Sequence, residues 1–185
     1  MRHKEMLDRE KTCLLVVDVQ ARLLPVIHGS GPMVENIRRL AQGAKILGLP
    51  IVLTEQYPRG LGHTVEPVAE VLGDGITAYE KTTFSCLADK PLARAVADTG
   101  CDTLLVCGVE SHVCVSQTVL DAIAAGLKVQ VAADAVSSRN PENKRLALER
   151  LARAGAVITS TEAALFELLE RSGTEEFKKV SALVK

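Results

Sequence analysis

The chain has 185 residues, of which 47% are hydrophobic, 24% are charged and 3% are aromatic, and its formal net charge is -1. This length and composition predict one soluble globular domain over residues 1–185 and exclude an intrinsically disordered chain. The near-zero charge and the absence of Trp argue against nucleic acid or a charged membrane surface as a partner.

The first eleven residues are mostly charged, and we interpret residues 1–11 as a polar extension of the domain. They lack the apolar segment of a signal peptide, and no apolar run in the chain approaches the length of a membrane span. We therefore expect a cytoplasmic protein that does not enter a membrane.

Short apolar runs alternate along the chain with stretches of helical periodicity. The runs, rich in Val, Ile and Leu, predict strands over residues 12–19, 50–55, 76–81, 102–108, 128–134 and 156–161. The periodic stretches predict helices over residues 33–47, 88–98, 113–125, 141–154 and 162–171, with a last short helix in residues 174–185. Runs without polar alternation are typical of parallel strands buried on both faces. The pattern predicts a three-layer α/β/α sandwich with a six-stranded parallel sheet.

Three ionisable residues follow the ends of predicted strands. Asp18 ends the first run, Lys81 ends the third, and Cys114 lies in the turn after the fourth. Taken singly, each has an ordinary structural explanation: a turn cap, a surface lysine and a buried thiol. Because ligands of open parallel sheets bind outside the carboxyl ends of the strands, the three together favour an active site at that edge.

The five cysteines are odd in number and irregularly spaced, which argues against a disulfide framework. Cys114 is the favoured nucleophile. If Ser111 caps the following helix, Cys114 occupies the first helical turn, where the helix dipole favours a thiolate. Cys86 is the rival nucleophile, whereas Cys107 lies inside a strand and Cys13 and Cys101 lie at the opposite edge of the sheet.

Three motifs in order resemble the isochorismatase-like family of cysteine hydrolases. They are "LLVVDVQ" (14–20), "YEKTTFS" (79–85) and "VCGVESHVCV" (106–115), and the resemblance extends from about residue 12 to residue 170. The segments "LTEQYPRGLG" (53–62) and "DAVSSR" (134–139) further resemble the isochorismatase domain-containing subgroup.

The resemblance implies a strand order of 3-2-1-4-5-6 and a homo-oligomer, either a dimer or a tetramer. It also implies a catalytic triad of Asp18, Lys81 and Cys114 and a cis peptide bond between Val109 and Glu110. The backbone N–H groups of Glu110 and Cys114 would then bind the oxyanion. Candidate substrate-binding residues around these positions are Gln20, Gln56, Tyr57, Phe84, Val109 and His112.

Two departures from relatives of the family restrict the chemistry. Nicotinamidases of the family hold a metal with an Asp-x-His-Pro segment, but the matching residues here are Glu55, Gln56, Tyr57 and Pro58. Because Tyr57 replaces a good nitrogen ligand, we expect no metal and no cofactor. The isochorismate hydrolases lack the cysteine that this chain has at position 114, so we expect a different reaction.

We therefore predict a cysteine-dependent hydrolase that cleaves an amide or related C–N bond of a small molecule through a thioester. One alternative is a catalytically silent small-molecule-binding or scaffolding protein of the same fold. Another is a thiol redox sensor in which Cys86 or Cys107 resolves an oxidised Cys114. A dinucleotide-dependent oxidoreductase is disfavoured, because no G-x-G-x-x-G follows the first strand.

Overall fold

The computed structural model describes residues 3–185 and contains a six-stranded, entirely parallel sheet. The strands are Thr12–Val17 (β1), Ile51–Gln56 (β2), Ala78–Lys81 (β3), Thr103–Val109 (β4), Lys128–Ser137 (β5) and Val157–Thr159 (β6). Their spatial order is β3-β2-β1-β4-β5-β6. The predicted fold class and strand order are confirmed.

Eight helices connect and follow the strands within the described residues. They are Ser30–Leu47 (α1), Pro58–Leu61 (α2), Glu66–Leu72 (α3), Lys90–Asp98 (α4), Ser116–Ala124 (α5), Pro141–Arg153 (α6), Thr161–Leu169 (α7) and Glu175–Leu183 (α8). The sequence pattern did not predict α2 and α3, because neither is long enough to repeat an apolar face. Both have Pro in their first turn, where the fixed φ of proline suits a helix.

The sheet separates two apolar layers, and β1 contributes to both by simple alternation. Leu14 and Val16 pack with one layer, which includes residues of α1, α3, α7 and α8, while Leu15 and Val17 pack with the other, which includes residues of α4, α5 and α6. Every residue of β1 is buried, as expected for a central strand covered by helices on both faces.

The strand order reverses at β1, which has β2 on one side and β4 on the other. The last residue of β1, Val17, aligns with Thr54 of β2 and with Gly108 of β4. A Cβ atom at Gly108 would overlap the Val17 carbonyl oxygen, and its φ of 113° is in the range that favours glycine. This close approach brings the carboxyl ends of β1 and β4 together at the position where parallel sheets usually bind ligands.

The amino-terminal segment packs against the carboxyl-terminal helices. Leu7 is fully buried in the core layer of α1 and α7, and its N–H donates to a carboxylate oxygen of Glu167. Arg9 makes an ion pair with Glu176 of α8 at 3.1 Å. Among residues 3–185, no helix has both the length and the apolar character needed to cross a bilayer.

Candidate active site

Asp18 directly follows β1 and lies at the centre of a buried polar cluster. Its backbone has a φ of 52°, and its side chain is fully excluded from solvent. One carboxylate oxygen accepts a hydrogen bond from the Thr54 hydroxyl at 2.7 Å, and the other accepts one from the Lys81 ammonium at 2.7 Å. The carboxylate is therefore fixed in position by the neighbouring strands β2 and β3.

Lys81 is held by four acceptors. Besides Asp18, its ammonium group donates to the side-chain oxygen of Gln56 at 2.7 Å and to the carbonyl oxygens of Thr83 and Phe84 at 3.2 and 3.3 Å. Burial by itself would lower the pKa of Lys81, but the charge of Asp18 and the nearby thiols Cys86 and Cys114 raise it overall. The lysine therefore provides a fixed positive charge.

Cys114 completes the cluster from the opposite side of β1. It lies in a turn, Ser111–Val115, between β4 and α5, and is 7% exposed. The Cys114 thiol lies close enough to the Asp18 carboxylate and the Lys81 ammonium for both charges to shift its pKa. Burial, and then the charge of Asp18, raise the pKa of Cys114 to about 12. The resting thiol is therefore protonated at neutral pH.

Ser111 does not act as the cap of the following helix. Residues 111–115 form a π-helical turn, and its preceding cap residue, Glu110, accepts N–H groups from Val113 and Val115 at its carbonyl oxygen. The Ser111 hydroxyl is buried and has no hydrogen-bond partner within residues 3–185. Burial raises the pKa of the Cys114 thiol, in the direction opposite to the one expected from a helix dipole.

Glu110 is preceded by a cis peptide bond, Val109–Glu110. Its carboxylate is buried and accepts two hydrogen bonds from Arg139, one from the backbone N–H at 2.9 Å and one from Nε at 3.1 Å. Sequence reasoning assigned a role only to the Glu110 amide and missed this pair. The "DAVSSR" segment was a signal for Arg139, but nothing in it identifies the partner.

Three of the predicted substrate-binding residues form the frame of the site. Gln20 is fully buried, and its side-chain amide bonds the backbone of Gln56 and the Gly62 carbonyl. Gln56 bonds Lys81 and the Thr82 carbonyl, and Val109 is fully buried in β4. The side chains of Gln20 and Val109 are enclosed by protein, and their contact with a substrate stays a prediction.

The other three lie at the rim. Tyr57 is 55% exposed and Phe84 is 52% exposed. His112 is partly buried, and its Nδ1 atom is 3.0 Å from the Ser138 hydroxyl. Tyr57 also closes the edge of the sheet, because its N–H donates to the Lys81 carbonyl at 2.9 Å. These positions are compatible with contact to a bound small molecule.

A pocket of about 340 Å³ adjoins this rim. It is lined by Tyr57, Pro58, Arg59, Glu80, Lys81, Thr82 and Asp89. Lys81 is the member of the buried cluster that borders it. Glu80 and Asp89 were not predicted as site residues, since nothing in their local sequence distinguishes them from ordinary surface acids.

Glu55 is the first residue of the segment that matches the metal-binding residues of nicotinamidases, and here its side chain is engaged in hydrogen bonds. The Glu55 carboxylate accepts the N–H and hydroxyl of Thr64 at 2.6 and 2.8 Å and lies 2.9 Å from Nδ1 of His63. Burial raises the pKa of Glu55, but these hydrogen bonds outweigh it and the pKa is lowered overall. In the described part of the chain, no group of three or more His, Cys, Asp or Glu residues is placed to hold a metal.

The remaining cysteines differ from Cys114 in position. Cys86 is fully buried beside Lys81 and Asp18, and burial raises its pKa to about 11. Burial raises the pKa of Cys107 within β4 and raises that of Cys13, near Cys101, to about 12. All five thiols are unpaired.

Comparison with protein families finds the isochorismatase domain over residues 12–163. Among curated relatives, the isochorismatase domain-containing protein 1 of Danio rerio is 40% identical over 168 residues, which covers 91% of this chain and 59% of the relative. The chain therefore spans about six-tenths of the length of this relative.

Solved structures share the whole fold. The structure described as the MAR1 ribonuclease of Caenorhabditis elegans is 35% identical, with a TM-score of 0.91, and the match covers 97% of this chain and 92% of that one. The YcaC gene product of Escherichia coli, described as an octameric hydrolase of unknown specificity, is 25% identical with a TM-score of 0.91. That match covers 99% of this chain and 92% of the YcaC chain.

Proposed function

This chain belongs to the isochorismatase family, and from that premise we propose that it is a cysteine-dependent hydrolase acting on an amide or related C–N bond of a small molecule. The observation that carries the proposal is the buried ion pair of Asp18 and Lys81, which lies close enough to the Cys114 thiol to shift its pKa. A carboxylate, a cation and a thiol near one another are the components needed to generate and balance a sulfur nucleophile.

The first step is attack on the substrate carbonyl. Because the Cys114 thiol is protonated at rest, the proton moves to Asp18 as the sulfur–carbon bond forms. Lys81 holds Asp18 in place and offsets the negative charge that passes between sulfur and carboxylate. Lys81 does not itself transfer a proton in this scheme.

The tetrahedral intermediate carries its negative charge on the former carbonyl oxygen, and we assign its stabilisation to the N–H groups of Glu110 and Cys114. The C–N bond then breaks, the amine leaves with the proton from Asp18, and a thioester remains on Cys114. Asp18 next removes a proton from water, which attacks the thioester. The acid product leaves, and the proton returns to the Cys114 sulfur.

A pocket of about 340 Å³ borders Lys81 on the outer side of the cluster, and its lining includes neither Asp18 nor Cys114. Its volume is at the low end of the range for small-molecule sites. We propose that four residues either contact the substrate or hold the groups that contact it: Gln56, Tyr57, Phe84 and His112.

We also propose a homo-oligomer in a reducing compartment such as the cytoplasm. The related YcaC protein is described as octameric, which supports self-association of this chain. The five unpaired thiols fit a reducing environment. Light scattering coupled to size-exclusion chromatography tests the first part, and a monomer at working concentration would contradict it.

The related Caenorhabditis elegans structure is described as a ribonuclease, which makes RNA a second substrate class to consider. The formal net charge of -1 provides no general attraction for a polyanion. We therefore keep the small-molecule proposal and include RNA in its test.

The test compares the wild type with Cys114→Ala on acetamide, N-carbamoylglycine, p-nitrophenyl acetate as an activated acyl probe, and a short RNA oligonucleotide. We expect the wild type to hydrolyse a small acyl compound and Cys114→Ala to lose at least about a thousandfold in kcat. Cys101→Ala is the matched control, because that thiol lies at the opposite edge of the sheet, and it should retain full activity.

Three outcomes would contradict the proposal. Equal turnover by the wild type and Cys114→Ala would show that Cys114 is not the nucleophile. Cleavage of RNA, without hydrolysis of any small compound, would change the substrate class. A wild type that is inert toward the whole panel, and whose Cys114 also resists iodoacetamide, favours the binding-protein alternative.

A further inference from the structure

Glu110 is fixed by hydrogen bonds at both its backbone and its side chain. Its carbonyl oxygen accepts the N–H groups of Val113 and Val115 at 3.0 and 3.2 Å. Its carboxylate accepts both the N–H and the Nε of Arg139, at 2.9 and 3.1 Å. Two elements distant in sequence therefore determine where this residue lies.

Arg139 is suited to act as a fixed anchor. Val109 of β4 aligns with Ser137 of β5, so the residues that follow the two strands lie side by side. The Ser137 hydroxyl donates to the His28 carbonyl at 2.6 Å, and the His28 N–H donates to the Ser138 carbonyl at 3.1 Å. Arg139 therefore extends from a segment that is itself held in place.

The pair also explains how a buried carboxylate is tolerated beside the nucleophile turn. The Glu110 side chain is 8% exposed, whereas that of Arg139 is 62% exposed. A desolvated carboxylate is costly unless it is paired and hydrogen-bonded, and charge-assisted bonds from a guanidinium meet that need. Without Arg139, the Glu110 side chain would be expected to move toward solvent and to take its backbone with it.

We propose that Arg139 is a positioning residue that acts through the Glu110 carboxylate to hold the Glu110 N–H in the orientation that stabilises the oxyanion. This inference rests on the proposed hydrolase function and assigns a task to a side chain outside the triad. A displacement of about 1 Å in such a group can cost about a hundredfold in rate. The effect should fall on kcat, since the oxyanion forms only after the substrate has bound.

The experiment measures two reactions of Cys114 in Arg139→Met, Glu110→Gln and the double variant. Hydrolysis of p-nitrophenyl acetate passes through an oxyanion, whereas alkylation by iodoacetamide displaces iodide from a saturated carbon and forms none. We expect each single variant to lose about 10- to 100-fold in kcat, with KM and the alkylation rate unchanged. The double variant should lose no more than one single variant, because both break the same contact.

Arg145→Met is the matched control. Arg145 also pairs with glutamates, Glu142 and Glu149, but on the exposed surface of α6, so its loss should change neither reaction. Arg139→Lys keeps the charge and the backbone N–H but not the geometry of Nε, and it should recover part of kcat. It also serves as the folded substitute if Arg139→Met is unstable.

Several results would overturn the inference. A rise in KM at unchanged kcat would make Arg139 a substrate-binding residue, and a slower alkylation would place its effect on the thiol or the fold. If Arg139→Met keeps the wild-type kcat while Cys114→Ala is inactive in the same assay, the inference about Arg139 is wrong and the hydrolase function stands. Ester hydrolysis that survives Cys114→Ala would remove the hydrolase function and this inference with it.

Discussion

The Lys81 ammonium lies 2.7 Å from the Asp18 carboxylate although 63 residues separate them, and neither side chain is exposed to solvent. β2 lies between β3, which ends at Lys81, and β1, which ends one residue before Asp18. Thr54 and Gln56 of β2 each bond one member of the pair. The ion pair is thus part of the sheet edge, and its two charges act together with burial on the pKa of Cys114.

Asp18→Asn should change turnover and thiol reactivity in opposite directions. Loss of the proton acceptor should lower kcat by about 100- to 10,000-fold. The alkylation rate at pH 9 should rise, because burial and then the Asp18 charge raise the pKa of Cys114, while Lys81, which lowers it, remains. Iodoacetamide labelling followed by mass spectrometry between pH 7 and 10 measures this, with the exposed Asp98→Asn as control.

In the wild type, the same labelling should accelerate throughout this pH range without a plateau, because the thiol pKa of about 12 lies above it. A plateau near neutral pH, or slower labelling of Asp18→Asn than of wild type at pH 9, would contradict the described electrostatics.

Lys81→Met should destabilise the fold, because it leaves the Asp18 carboxylate buried without its cation. Removal of one partner from a buried pair typically costs about 3–5 kcal/mol in the free energy of unfolding. Urea denaturation should show Asp18→Asn with Lys81→Met to be less destabilised than Lys81→Met alone, since no charge then stays buried. The exposed pair of Arg94 and Asp98 supplies the control, for Arg94→Met should cost less than about 1 kcal/mol.

The same pair gives a pH dependence of stability. The pKa of Lys81 is raised above its ordinary value of 10.5, so its stabilising contribution is complete below that value and is lost as the pH rises through the folded-state pKa. The difference in unfolding free energy between wild type and Lys81→Met should therefore stay constant below pH 10.5 and decrease above it, and a difference that already decreases below pH 10.5 would contradict this assignment.

Gly108→Ala should disrupt the sheet beside the candidate active site. The new methyl group would overlap the Val17 carbonyl oxygen, and the φ of 113° is unfavourable for alanine. We expect a loss of about 3 kcal/mol or more in unfolding free energy, at the upper end of overpacking. Gly75→Ala, where the space is open, should be close to neutral in thermal denaturation, and equal melting temperatures of the two variants would refute the packing argument.

Cys86→Ala tests the redox-sensor alternative. Cys86 shares the buried layer and the charged neighbours of Cys114, but the proposed mechanism does not use it. We expect turnover to be retained, with a stability loss of about 1 kcal/mol for the missing sulfur. Disulfide mapping after peroxide treatment distinguishes the hydrolase from the sensor. A Cys114–Cys86 disulfide in the wild type, together with faster irreversible inactivation of Cys86→Ala by peroxide, would favour the sensor.

Local patterns were sufficient to predict the layers of this fold. The alternation of apolar runs with helical periods identified the strands and the longer helices, and boundaries such as Pro141 followed from capping chemistry. The short helices α2 and α3 escaped prediction because four and seven residues cannot repeat a helical face. The turn at residues 111–115 escaped because the bonds that fix it come from Glu110 rather than from Ser111.

For the candidate site, the sequence by itself determined which edge of the sheet carries the ionisable residues, because parallel strands place all their carboxyl ends together. Only the tertiary structure decided the roles within that edge. Burial made Cys114 a protonated thiol, three backbone contacts made Gln20 part of the frame, and the alignment of β4 with β5 paired Glu110 with Arg139. Desolvation and hydrogen-bond partners depend on neighbours that are distant along the chain, and local sequence does not encode them.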